Sequence, residues 1–239
     1  MNYKMMGRLI AQILLAEAAF MVPALIISLA GQDSQAILGF ALSILVILAV
    51  AGVLMFFARK AKKGFYAREG MVCVGLAWIV MSLLGCLPFW ISREIPSYLD
   101  AVFEMISGFT TTGATILTDV ESLPKGLLFW RSFTHWAGGM GVLVLTLALL
   151  PKIGARSIHL MRAESPGPAV DKLVPRVGKY AKILYKLYIA LSAIMLVCLL
   201  LTGMNLYDAL IHVFGTAGTG GFSNYNLSVG AFNNQAVEI

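Results

Sequence analysis

The sequence predicts an all-α polytopic membrane protein that contains a repeated helical unit. Hydrophobic residues make up 59% of the 239 residues and charged residues only 13%. An average soluble domain is about 45–50% apolar and about 25% charged, so a soluble globule of this size has too little interior for these side chains. The apolar residues are also gathered into long runs, and a glycine-rich motif occurs twice at the same spacing. These observations together set the fold class.

Five apolar runs are long enough to cross a bilayer, whose hydrocarbon core requires roughly 20 residues of helix. They are residues 9–30, 36–58, 70–92, 132–150 and 187–204. Outside a closed barrel, only helices satisfy their backbone polar groups within lipid, so each run is predicted to be a transmembrane helix. The first run follows Lys4 and Arg8, as in a secretory signal, but it exceeds the usual signal core of about 7–15 residues. We interpret it as a retained span.

Two shorter apolar segments, 99–109 and 206–214, are each followed by a cluster of Thr and Gly. The basic residues decide the membrane topology of these segments. Of the 18 basic residues, 15 lie before the first span, between the second and third spans, or after the fourth span. Five spans with a cytoplasmic N-terminus place all three clusters in the cytoplasm, in keeping with the positive-inside rule. A full crossing by 99–109 would turn the last cluster outward. This segment is therefore predicted to enter the membrane and return on the same side.

The acidic residues gather on the predicted outer side, where eight acids face three bases. These acids are Asp33, Glu94, Asp100, Glu104, Asp119, Glu121, Asp208 and Glu238. Either they are simply solvated, or they concentrate cations at an entrance. The net charge of +6 is explained by the cytoplasmic clusters, so it indicates orientation in a lipid membrane and not a nucleic-acid interface.

An internal repeat appears when Asp100 is aligned with Asp208 without gaps. The letters DAVF then face DALI, and further along TTGAT, from Thr111, faces TGGFS, from Thr219. In both copies a glycine follows the aspartate by 13 residues. These glycines are Gly113 and Gly221. A full span precedes each copy, so the chain is predicted to contain the same structural unit twice.

The repeated unit has the pattern of an ion-selectivity filter. Ser97 and Asn205 stand at equivalent positions before the two short segments, and both are good helix N-caps. In a selectivity filter, a short helix is followed by extended backbone at membrane depth. The carbonyl oxygens of this backbone replace the water around a dehydrated cation. Glycine allows the positive φ angles that such backbone needs, and the negative end of the short helix favours a cation. Neutral oxygen ligands suit an alkali ion better than a transition metal. An isolated Thr/Gly loop is also an ordinary close-packed turn, but two copies at identical spacing favour the ion path.

Four stretches of sequence carry a resemblance to a known family. They are SGFTTTGATIL (107–117), FWRSFTHWAGGMGVLVL (129–145), RAESPGP (162–168) and FGTAGTGGFSNYN (214–226). With them, nearly the whole chain resembles the bacterial Trk-type potassium uptake proteins of the TrkH/KtrB superfamily. The resemblance implies a potassium-channel-like fold with repeats of outer helix, pore helix, filter and inner helix, and two extra N-terminal helices.

The resemblance also implies the site and the partners. The expected potassium ligands are Thr111, Thr112, Gly113, Ala114, Thr219, Gly220, Gly221 and Phe222. Gly218 is an alternative for the second filter glycine, although the ungapped repeat favours Gly221. Family members pair as homodimers in the bacterial inner membrane and bind a cytosolic nucleotide-binding regulator of the TrkA type. No cofactor is implied beyond the transported ion, and both channel-like transport and coupling to sodium or protons (symport) stay open.

The resemblance divides the chain into an N-terminal two-helix extension (1–66), a first pore repeat (67–151), a cytoplasmic linker (152–178) and a second pore repeat (179–239) that stops before its inner helix. Family members carry four repeats, so this chain is expected to be an N-terminal half. The expected function is potassium transport by a chain that is not competent alone. The alternative is a non-conducting fragment or scaffold that needs a second half-chain.

Other residues carry weaker expectations. No paired carboxylates, zinc-binding helix or Ser/His/Asp grouping accompanies the spans, so an enzyme is not expected. Glu17, within the first span, is expected to face a protein interior because an exposed charge in lipid is costly. Arg131 either pairs with an outer acid or anchors at the lipid headgroups. His135 and His212 are expected to be structural.

Overall fold

The computed structural model describes residues 2–59, 67–149, 174–234 and 237 of the chain. In these residues the regular structure is helical. The α-helices are α1 (Tyr3–Gly31), α2 (Ser34–Phe57), α3 (Ala67–Gly85), α4 (Leu87–Ile91), α5 (Tyr98–Phe109), α6 (Lys125–Leu149), α7 (Val174–Leu201) and α8 (Leu206–Ala217), followed by a 3-10 helix at Ser228–Phe232.

The long helices confirm the prediction of an all-α polytopic protein. Helices α1 and α2, the stretch Val72–Ile91 and the stretch Lys182–Leu201 are long and apolar enough to cross a membrane. They correspond to four of the five predicted spans. Helix α6, with 25 residues, corresponds to the remaining span at 132–150, whose last residue lies outside the described part. Helix α7 begins at Val174, so it includes the end of the predicted linker 152–178. The earlier part of that linker also lies outside the described residues.

The third predicted span is interrupted, because α3 ends at Gly85 and α4 begins only at Leu87. Pro88 lies in the first turn of α4, where proline is tolerated, whereas inside a continuous helix its ring would clash with the carbonyl four residues earlier. The backbone carbonyl groups that lose their helical partners at this break accept hydrogen bonds from side chains. The indole Nε1 of Trp130 donates to the Gly85 oxygen and the Tyr98 hydroxyl to the Leu83 oxygen, each at 2.9 Å.

Helices α1 and α2 form an antiparallel hairpin that packs along its length, and α1 also contacts α3 and α6. Small side chains allow this close approach, since Ala11, Ala36 and Ala51 are completely buried. Glu17 on α1 is 1% exposed, which confirms that it faces the protein interior. Neither of its carboxyl oxygens has a hydrogen-bond partner among the described residues.

The two short helices, α5 and α8, both pack against α6. Each has 12 residues, and their first and last residues are paired by the ungapped repeat. The side chain of Ser97 accepts a hydrogen bond from the amide of Asp100, and that of Asn205 accepts one from the amide of Asp208. Both predicted N-caps are therefore confirmed, and α6 holds the two copies of the repeated unit together.

Candidate functional site

Two glycine-rich segments follow the short helices. We name residues 110–115 segment 1 and residues 218–223 segment 2. The backbone leaves both helices through the same three hydrogen bonds, with N···O distances of 2.8–3.1 Å. In segment 1 they are Thr110 to Ile106, Thr111 to Gly108 and Thr112 to Ser107; in segment 2 they are Gly218 to Phe214, Thr219 to Thr216 and Gly220 to Gly215. The internal repeat is thus a repeat of conformation as well as of sequence.

The same two positions in each segment have left-handed backbone. Gly113 and Gly221 have φ angles of 76° and 80°, while Thr111 and Thr219 have φ angles of 55° and 61°. Glycine adopts such angles readily, but they are unusual for a β-branched residue. A costly conformation retained at both copies is typical of a functional site.

The two candidates for the second glycine differ in conformation. Gly218 closes α8 with an ordinary right-handed backbone (φ −73°), whereas Gly221 has the left-handed angle of Gly113. Gly218 instead serves close packing, because a Cβ there would lie 2.5 Å from the carbonyl oxygen of His135 on α6. Geometrically, Gly221 is therefore the counterpart of Gly113.

Segments 1 and 2 lie against each other. A Cβ on Gly113 would overlap the carbonyl oxygen of Gly220, and one on Gly220 would overlap the ring of His135. A Cβ on Gly221, in contrast, would meet no described atom within 4 Å. One side of segment 2 is therefore open, while segment 1 and α6 enclose the other.

A cavity of about 420 Å³ lies where the two short helices end. Its lining consists of Trp78, Phe109, Thr110, Thr111, Gly138, Gly139, Ala217, Gly218 and Thr219. The last residues of both α5 and α8 belong to this lining, so the partial negative charges of two helix C-termini converge there. The described lining carries no charged side chain, which leaves neutral oxygens as the available ligands. Such a cavity favours a cation without a fixed counter-charge.

Glycines on α6 make this arrangement possible. A Cβ on Gly138 would overlap the carbonyl oxygen of Phe109, and one on Gly139 would lie 3.1 Å from the Cα of Gly218. The ends of α5 and α8 therefore approach the backbone of α6 closely.

A buried ion pair braces the outer ends of both segments. The carboxylate of Glu104 on α5 accepts hydrogen bonds from the Thr115 hydroxyl at 2.8 Å and the Ile116 amide at 3.1 Å. Arg131 on α6 donates from Nε to the same carboxylate and from Nη1 to the carbonyl oxygen of Ser223 at 3.2 Å. Its guanidinium carbon also lies 3.5 Å from the ring centroid of Phe222. One arginine thus contacts segment 2 directly and segment 1 through Glu104.

The buried ion pair contradicts one expectation, on the exposure of the outer acids, and decides another, on the partner of Arg131. Glu104 and Asp208 are only 1% and 3% exposed, so the prediction that these two acids belong to a solvated or cation-concentrating outer surface is wrong. Of the two alternatives for Arg131, pairing with an acid is confirmed. His135, expected to be structural, has a completely buried side chain whose ring centroid lies 3.9 Å from that of Phe222. It fills the space behind segment 2.

The second copy has its own brace, built from different side chains. His212 stands where Glu104 stands in the first copy, and its Nε2 lies 3.3 Å from the hydroxyl of Ser223, the counterpart of Thr115. The carboxylate of Asp208 accepts hydrogen bonds from the side-chain Nδ2 of Asn224 at 2.7 Å and from the hydroxyl of Tyr225 at 3.0 Å. Burial, together with this hydrogen bond to Asp208, raises the pKa of Tyr225, so the hydroxyl stays a donor.

A polar clasp joins the loops that follow the two segments. The side chain of Asn226 accepts a hydrogen bond from the amide of Val120 and donates one to Asp119, each at 2.9 Å. The amide of Asn226 donates to Glu121 at 3.0 Å. We name Asn226 with residues 119–121 the outer clasp. It fixes the far end of segment 2 relative to that of segment 1.

All the residues expected from the sequence to bind potassium lie in segment 1 or segment 2, and the structure brings the segments into contact. Neither the ion pair nor the outer clasp was predicted from the sequence as part of the site. The sequence contains a partial indication of the ion pair, because Glu104 and Arg131 are charged residues inside apolar stretches. No local pattern connects Asn226 with Val120, which is 106 residues away.

Comparisons with known proteins agree with this architecture. Residues 36–239 match a protein-family model described as "TrkH: Cation transport protein". The chain is 38% identical over its whole length to the Trk system potassium uptake protein TrkH of Halomonas elongata, and 37% identical over 99% of its length to TrkH of Escherichia coli K12. It covers 50% and 49% of those proteins, so it spans about half the length of the curated relatives that it matches.

A solved structure shows the same likeness. The crystal structure of the potassium transporter TrkH from Vibrio parahaemolyticus superposes with a TM-score of 0.81 at 33% sequence identity. The match covers 99% of this chain and 47% of that chain. The helical arrangement described above is thus similar to about half of that transporter.

Proposed function

The chain belongs to the TrkH family of cation transport proteins, and from this premise we propose that it supplies two of the walls of a potassium-conducting pore. In this proposal, a dehydrated potassium ion is held by backbone carbonyl and threonine hydroxyl oxygens. The ligands come from Thr111, Thr112, Gly113 and Ala114 of segment 1 and from Thr219, Gly220, Gly221 and Phe222 of segment 2. The names of the relatives, which are potassium uptake proteins, support this choice of substrate.

One observation supports the proposal above all others. Two matched helices end at one cavity, and each is followed by the same left-handed threonine and left-handed glycine. Left-handed residues at the same two positions redirect the carbonyl groups of both segments in the same way. With two helix C-termini aimed at the cavity, the carbonyls replace part of the hydration shell of a cation.

The proposed pore requires more than this chain. Segments 1 and 2 enclose an ion from adjacent sides, and Gly221 faces open space in the described part. Carbonyl oxygens from a further half must complete the ring of ligands around the ion, because an ion that is exposed on one side keeps water molecules on that side. The alternative function is a non-conducting scaffold that needs a second half-chain, and the transport experiment below distinguishes the two.

The membrane orientation and the partners are also part of the proposal. The basic clusters support a cytoplasmic N-terminus in a bacterial inner membrane. The family resemblance supports a homodimer and a nucleotide-binding TrkA-type regulator at the cytoplasmic side. Whether potassium moves by a channel-like route or by symport with sodium or protons depends on parts of the pore beyond segments 1 and 2.

The test is rubidium uptake by a bacterium that lacks its own potassium uptake systems. A family-length protein that contains this chain is expressed unchanged, with Gly113→Asp, or with Gly230→Asp. A carboxylate at Gly113 adds a fixed charge and a side chain where segment 2 leaves no room, so uptake or ion selectivity should be lost. Gly230 is exposed, has an ordinary φ angle and has no described atom near its Cβ position, which makes it the matched control.

Unchanged and still selective uptake with Gly113→Asp would remove segment 1 from the ion path. The chain expressed alone should give no flux, and flux that appears only with a co-expressed second half supports a shared pore. If no combination with a second half conducts, the scaffold alternative holds.

A further inference from the structure

A groove lies at the end of the α1–α2 hairpin that carries the basic residues, and none of its lining residues belongs to the proposed pore. Its volume is about 470 Å³. It is lined by Arg8, Gly52, Met55, Phe56, Ala58 and Arg59. Gly52, Met55 and Phe56 are spaced three and four residues apart, so they lie on one face of α2. A Cβ on Gly52 would meet no described atom within 4 Å, and the missing side chain leaves the floor of the groove open.

The groove carries positive charge without an acidic side chain in its described lining. Arg8 and Arg59 are both exposed, and the guanidinium carbon of Arg59 lies 5.0 Å from the ring centroid of Phe56. A ligand with a negative charge therefore meets two guanidinium groups and, among the described lining residues, no competing carboxylate.

The surroundings of the groove are apolar and suited to lipid. On the last turns of α2, Val53, Phe56 and Phe57 are between 55% and 71% exposed, although α2 is long and apolar enough to span a membrane. Exposed aliphatic and aromatic side chains next to arginines are typical of the boundary between acyl chains and headgroups. The groove therefore offers a charged part and an apolar part at neighbouring positions.

We propose that this groove binds an anionic phospholipid, with the headgroup phosphate between Arg8 and Arg59 and the acyl chains along the exposed apolar face of α2. Guanidinium groups recognise phosphate oxygens through paired N–H donors, and basic pockets between transmembrane helices bind acidic headgroups. A cytosolic protein is the less suitable occupant, because Phe56 and Phe57 would have to leave lipid to meet it. The inference goes beyond the transport proposal and does not depend on ion flux.

The test is native mass spectrometry of the purified chain in detergent, with equal amounts of phosphatidylglycerol and phosphatidylcholine of the same acyl chains. We expect the chain to retain phosphatidylglycerol preferentially. Arg8→Gln or Arg59→Gln should each weaken this retention about fivefold, and the double variant about 30-fold, given the contribution of one basic residue near an acidic headgroup. Arg93→Gln is the matched control, since Arg93 is exposed near the opposite end of the hairpin and should leave retention unchanged.

A second variant keeps both charges and removes the space. Gly52→Leu fills the floor of the groove from an open position on the helix, so it should displace the lipid without disturbing the packing of α1 on α2. Equal retention of the two lipids, or full phosphatidylglycerol retention by both the double arginine variant and Gly52→Leu, would overturn the proposal. Displacement of the lipid by millimolar inorganic phosphate would also overturn it, because the groove would then be a site for soluble anions.

Discussion

Arg131 and Glu104 form an ion pair inside the protein, with Nε 2.6 Å from Oε1 and side chains that are 3% and 0% exposed. The pair joins α6 to α5, and through the remaining contacts of each partner it joins segment 2 to segment 1. The arginine donates one hydrogen bond to the carboxylate and one to a carbonyl oxygen, and its guanidinium group also lies over the ring of Phe222. The pair therefore links the two glycine-rich segments through α5 and α6.

The first prediction concerns removal of one partner of this pair. Glu104→Gln and Arg131→Met should each lower the free energy of unfolding by about 3–5 kcal/mol, because each leaves the other charge buried and unpaired. The double variant should lose less than the sum of the single losses. The measurement is a double-mutant cycle on the purified chain by denaturant titration. Arg93→Gln, at an exposed arginine, is the control, and strictly additive losses would mean that the two side chains do not act together.

The second prediction separates the two left-handed glycines. Alanine at either position requires a backbone that costs about 1–2 kcal/mol for a residue with a Cβ. At Gly113 the Cβ would also overlap the carbonyl oxygen of Gly220, whereas at Gly221 it would face open space. Gly113→Ala should therefore lower the melting temperature of the purified chain clearly more than Gly221→Ala. Equal shifts would contradict the contact between the segments.

The third prediction concerns the outer clasp. Asn226→Ala removes two side-chain hydrogen bonds to residues 119–121, and we expect a loss of about 1–3 kcal/mol in stability. Amide hydrogen exchange should increase in residues 117–122, which are far from Asn226 in sequence, and should change little in α1. The exposed neighbour Leu227 provides a control through Leu227→Ala. Unchanged exchange at 117–122 would show that the clasp does not hold these loops.

The fourth prediction concerns Glu17, whose buried carboxyl has no partner among the described residues. A buried, unpaired charge is costly, so the isosteric neutral amide in Glu17→Gln should leave stability unchanged or raise it. Glu17→Ala enlarges a neighbouring cavity of about 100 Å³ and should cost about 2–5 kcal/mol. If glutamine destabilises as much as alanine, the negative charge of Glu17 itself contributes to stability.

Local features of the site were predictable from the sequence. The N-caps Ser97 and Asn205, the ends of α5 and α8 and the left-handed glycines depend on hydrogen bonds and φ angles within a few residues. The ungapped repeat makes each copy a check on the other, and by itself it favours Gly221 over Gly218. The left-handed angles of Thr111 and Thr219 were not predicted, because threonine rarely adopts them.

The sequence by itself determined that this protein is helical, lies in a membrane and carries two copies of one unit, since these properties follow from composition, run length and spacing. Only the tertiary structure decided that Arg131 contacts Glu104, that Gly113 lies against Gly220 and that Asn226 reaches Val120. Each of these contacts joins residues that are tens of positions apart or more, so it depends on how the helices pack and not on local sequence. Hydropathy identifies which residues avoid water, but the packing of the helices decides which polar groups meet once water is excluded.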